Sequence, residues 1–100
     1  MPGVRLIGEQ VGHALPFRIA VESDRACARV CPVGDVDVDM VRQATAEIDR
    51  LRASGIARIV LDLRHASFLD SSGLRLVLDV QAAASRDGWD FDVIARPPRI

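Results

Sequence analysis

Residues 58–75, RIVLDLRHASFLDSSGLR, constrain this chain more than any other stretch. Ile59, Val60, Leu61 and Leu63 form a nearly unbroken aliphatic run, as expected of a strand covered on both faces. A short connector follows, and then Asp70-Ser71-Ser72-Gly73 opens a helix. Asp70 is placed to cap that helix by accepting from the free N–H groups of its first turn. Leu74, Val77, Leu78 and Ala82 recur at helical spacing and predict one apolar face. Two hydroxyls therefore fall in a first turn, where partial positive charge and unpaired donors favour an anion. Gly73 beside them has no side chain, which would let another surface approach the backbone closely.

The remaining segments arrange themselves around this unit. Phe17–Glu22 alternates apolar and polar residues, the pattern of a half-exposed strand. Ser23-Asp24-Arg25 supplies a turn, and Ala26–Val33 forms a second strand, with Pro32 pointing to an edge or an irregular finish. A helix is predicted over Val38–Ala53, capped by Asp37 or Asp39 and stopped by Ser54-Gly55. Its inward stripe is Val41, Ala44, Ile48 and Leu51, while Arg42, Glu47, Asp49 and Arg50 face water. The central strand then covers 57–63, a loop 64–70, a second helix Ser71–Ser85, and a last strand Asp90–Ala95, stopped by Pro97-Pro98. Residues 1–15 read as a loosely attached leader: Val4, Leu6 and Ile7 could form a short strand, but Gly3, Gly8, Gly12 and Pro16 interrupt it. Residues 16–100 then form the domain. The order ββαβαβ gives an α/β fold, an open mixed sheet of about four strands with the helices mainly on one face.

Composition removes several functions. Thirteen basic residues, all Arg, nearly cancel fourteen acidic ones. With no basic block and no interleaving of aromatic with basic residues, nucleic acid is not the expected partner. No segment approaches the roughly 20 apolar residues of a membrane span, and the first dozen residues lack a signal-peptide pattern, so a cytoplasmic protein without membrane insertion is expected. Cys27 and Cys31, four apart in a strand, are separated by about 13 Å, too far for a disulfide. Two thiols without a nearby His do not make a zinc site, and no metal or cofactor is expected. The only histidines are His13 and His65. Gly-x-Ser-x-Gly and a Gly-rich phosphate loop are both absent, so no catalytic residues are assigned.

IVLDLRHASFLDSSGL resembles the signature of the STAS domain, the fold of bacterial anti-sigma factor antagonists. Val33-Gly34-Asp35-Val36-Asp37 is similar to the Gly-Glu-Leu-Asp segment that ends the preceding strand in that family, with Asp35 where Glu is commoner. Asp87-Gly88-Trp89-Asp90-Phe91-Asp92-Val93-Ile94 resembles its helix-to-strand turn and following strand. The likeness covers about residues 17 to 98. It implies that Ser72 is the regulatory phosphorylation site and Asp70 its acidic neighbour. It further implies that Ser71 is the inward or capping hydroxyl and Ser72 the presented one. The partner-facing surface would comprise Asp37, Asp70, Ser71, Ser72, Gly73, Leu74 and Arg75. The resemblance also implies one more helix and a short strand after Ile94; this sequence stops at Ile100 without them, as a shortened chain or a minimal member would, and in a shortened chain the apolar strip left uncovered would favour a homodimer.

By this resemblance the chain is a binding module and not an enzyme. Unphosphorylated, it would bind an anti-sigma factor with serine kinase activity and so release a sigma factor. Phosphorylation of Ser72 would end the interaction, and a phosphatase would restore it. The alternative is a constitutive STAS subunit of a membrane lipid-transport ATPase complex, docking through the same helix with no phosphate cycle.

Overall fold

Strand β3 (Cys27–Val36) is the long central element of the sheet. The computed structural model describes the backbone of residues 3–7, 17–68 and 71–95, and their side chains except at 3–7, 17, 18, 36, 68 and 72. On one side β3 pairs antiparallel with β2 (Phe17–Ser23), which pairs in turn with β1 (Gly3–Ile7). On its other side run β4 (Arg58–Asp62) and β5 (Ala66–Phe68), both parallel to β3. Strand β6 (Asp90–Ile94) adds parallel to β4, giving the order β1-β2-β3-β4-β6 with β5 beside the far end of β3. Helix α1 (Val38–Ala53) joins β3 to β4, and α2 (Ser72–Asp87) leads from β5 to β6.

The mixed sheet with two helices is the fold class expected, with two strands more than the sequence pattern indicated. Residues 3–7 of the leader are paired with β2 along their length. Ala66–Phe68, expected in a loop, is a short strand. The domain boundary at residue 16 lies outside the described residues.

Register explains the core. Ile19 and Val21 of β2 stand beside Pro32 and Val30, and Ala28 and Val30 stand beside Ile59 and Leu61. These residues line one face of the sheet and are buried. Met40, Ala44, Ile48 and Leu51 of α1 close over them, with Leu76, Val80 and Ala84 of α2. Arg52, near the end of α1, lies 4.8 Å from the Trp89 ring centre, and Trp89 meets Phe91 edge-on at 6.2 Å. That cluster joins the end of α1 to the α2–β6 turn, where Gly88 closes α2 at φ 75°, a left-handed conformation glycine adopts without strain.

Three expectations are corrected. The buried stripe of α2 is Gly73, Leu76, Val80 and Ala84, with Val77 half-buried, whereas Leu74, Leu78 and Ala82 are exposed. The helix carries two apolar stripes, and packing on the sheet selects the one containing the small residues. Glu47, assigned to the water-facing side, is buried and paired with Arg50 at 2.5 Å. Pro32 marks no edge: it lies inside the central strand. Gly34 directs its N–H to His65 O on the β4–β5 side. Pro32, of the same parity, turns its donor-less nitrogen to that side, at the gap between β4 and β5 where no ladder bond is required.

Among the described residues no helix is long and apolar enough to cross a membrane. Leu61 is fully buried between β3, β6 and the helices. Leu61→Ala should therefore lower unfolding free energy by about 2–5 kcal/mol in urea denaturation, while Leu78→Ala, on the exposed stripe, should change it by less than about 0.5 kcal/mol.

Candidate functional site

Parallel pairing of β5 with the end of β3 brings both helix starts to one end of the sheet. Asp35 stands opposite Ser67 and Val36 opposite Phe68. Two residues after Val36 α1 begins, and four after Phe68 α2 begins. Two N-terminal turns, each with unpaired donors and partial positive charge, thus lie at the same end.

Asp37 caps α1: its Oδ1 accepts from Met40 N–H at 3.0 Å. Val38, next to it, is exposed. At α2 the cap position is Ser71, not Asp70, and the Ser71 hydroxyl makes no capping bond. Ser71 is exposed, so it is neither inward nor capping as expected. Its carbonyl accepts the first helical bond from Arg75 N–H at 3.0 Å. Ser72 is the first residue of α2, and its side chain is not among those described. Asp70 lies outside the described residues.

Gly73, between Ser72 and Leu74, is buried on the inward stripe of α2. Leu74 and Leu78, one turn apart, are 61% and 52% exposed. Arg75 projects beside them and pairs with Asp79 at 3.5 Å. The structure therefore brings Ser71, the head of α2, Leu74 and Arg75 together, with Asp37 at the neighbouring helix start.

Sequence reasoning missed a polar cluster at the end of β4. Asp62 belongs by alternation to the sheet face away from the helices, yet it is only 1% exposed. Its carboxylate accepts from Arg64 N–H at 3.1 Å, Arg64 Nε at 3.0 Å and Arg64 Nη2 at 2.8 Å. Arg29, paired with Glu22 at 2.7 Å, reaches within 3.9 Å of the same carboxylate. The Arg64 guanidinium holds the Asp62 carboxyl below the usual carboxylate range, outweighing the cost of burial. Burial pushes the half-buried Cys31 thiol up, with Asp62 adding to the rise. Cys27 and Cys31 are free thiols.

The family model described as "Mlab, STAS domain" matches residues 19–100. The chain belongs to the STAS domain family. Among solved structures, the anti-sigma factor antagonist SpoIIAA in its unphosphorylated form is similar to this STAS domain, with a TM-score of 0.67. The two share 23% identity over 80% of this chain and 71% of that one, a likeness of fold. No curated protein sequence matches the chain.

Asp62 also sets a pH dependence. A carboxylate whose folded pKa is lowered stabilises the fold above its unfolded value, about 4, and loses that contribution as pH falls through the folded value. Asp62→Asn should cost about 1–3 kcal/mol at neutral pH, toward the low end because Arg64 is partly solvated. Urea midpoints of wild type and Asp62→Asn should converge as pH is taken well below about 4. A gap that stays constant with pH would contradict the assignment.

Proposed function

We propose that this STAS domain is an anti-sigma factor antagonist. Unphosphorylated, it binds an anti-sigma factor that has serine kinase activity, and a sigma factor is released for transcription. Phosphorylation of Ser72 by that kinase switches it off, and a phosphatase resets it. The domain is then a kinase substrate acting in the cytoplasm, with no active site of its own. The observation that carries this reading is the position of Ser72 as the first residue of α2, at the end of the sheet where α1 also begins.

The physical consequence is electrostatic and steric. A phosphate adds roughly −1.5 to −2 charge and three acceptor oxygens. At a helix N-terminus the domain itself tolerates that charge. A partner fitted against Asp37, Asp70, Ser71, Leu74 and Arg75 would instead meet a bulky dianion. About 1.4 kcal/mol of mismatch already costs tenfold in affinity.

Exposed Leu74 and Leu78 support a second reading: a constitutive STAS subunit of a membrane lipid-transport ATPase complex. Two leucines one turn apart on a helix dock to an apolar groove without any phosphate. They would also serve a homodimer.

Incubation with an anti-sigma kinase and ATP, followed by mass-spectrometric mapping, should place one phosphate on Ser72 and none on Ser71, and Ser72→Ala should abolish it. Pull-down by wild type should recover the anti-sigma factor. Recovery of transporter subunits, with no phosphate on Ser72, would support the second reading instead.

A further inference from the structure

Strands β4 and β5 lie on the same side of β3 but not in one register. Val30 stands opposite Leu61, whereas Gly34 stands opposite Ala66. Three residues of β3, 31–33, therefore face four of the neighbouring chain, 62–65. The extra residue bulges out at a turn over residues 64 and 65, and because strand side chains alternate it reverses the facing of Ala66 and Ser67. Leu61 and Leu63 are buried before the slip, and Ala66 is buried after it. Ser67 comes to lie beside exposed Asp35 on the other face.

One ion pair closes this bulge. The Asp62 carboxylate receives both the backbone N–H and the guanidinium of Arg64, two residues on. It is fixed from behind by Arg29 of β3, which Glu22 of β2 holds in turn. Past the clamp, Leu63 O accepts from Ala66 N–H at 3.3 Å and His65 O accepts from Gly34 N–H at 3.1 Å. The bulge is thus tied at its root to three strands and at its exit to β3.

We infer that Asp62 and Arg64 are positioning residues for the switch: their clamp holds the bulge, the bulge sets the register of β5 on β3, and that register fixes where the chain delivers Ser72 to the head of α2. This rests on the reading of Ser72 as the modified residue. An exposed ion pair alone would contribute little. Here the acceptor is buried and one donor is a backbone N–H, so the pair fixes chain geometry as well as charge.

Arg64→Gln, at a half-exposed side chain, and Asp62→Asn separate this role from general stability. Ile59→Val serves as a control that loosens the core without touching the clamp. In both clamp variants, amide exchange at Gly34 and Ala66 should quicken about tenfold relative to Val21 and Val30, as expected for loss of one charge-assisted bond. Phosphorylation of Ser72 should lose about tenfold in kcat/KM, carried mainly by kcat, the parameter that reports misplacement of a reacting group. Arg64→Lys, retaining the charge without the fork, should fall between. Ile59→Val should leave the rate unchanged while lowering the urea midpoint. If wild type takes up phosphate at Ser72 and Arg64→Gln does so equally well, the clamp's role is overturned. If wild type takes up none, the functional reading fails, and the clamp's part in a switch fails with it.

Discussion

The parallel pairing of β3 with two successive partners governs this domain. Its first half takes β4, which places Ile59 and Leu61 over Ala28 and Val30 and completes the core beneath the helices. Its last three residues take β5, which carries the chain back to the end of the sheet where α1 starts. The ten-residue length of β3 is what accommodates both partners.

The two halves demand different registers, and the cost of joining them is concentrated at residues 62–65. A carboxylate buried at the end of a strand is unfavourable unless its lone pairs are met. Asp62 meets that condition through Arg64 and Arg29. The missing donor of Pro32 faces the same gap, so the strand interior tolerates a residue that otherwise belongs at edges. Bulge, proline and ion pair are parts of one solution: a central strand that changes partner register midway.

Much of this was legible in the residues. The strand at 59–61 and the helix over Val38–Ala53 were readable because their periodicities are unmixed, and the head of α2 fell within one residue of Ser71. The family and its fold followed from the Asp-Ser-Ser-Gly motif in its strand-to-helix setting. The inward face of α2 was not readable, because Leu74 and Leu78 compete with Leu76 and Val80 on one helix and only the sheet decides between them. β5 was missed because three residues are too few for a pattern, and β1 because its pairing with β2 is set by tertiary contact. The register slip did leave a trace: apolar residues fall at 59, 61 and 63 and then at 66 and 68, a change of parity across Arg64 and His65. Asp62 read as a strand residue and its burial as an ion pair needed the fold.

On the proposed function, a dianion at the head of α2 expels a docked partner. Calorimetric titration of the anti-sigma kinase with domain phosphorylated at Ser72, against unmodified domain, measures it directly. Affinity should fall by at least about tenfold on modification, with the domain's own urea midpoint little changed. Equal affinities in the two states would contradict it.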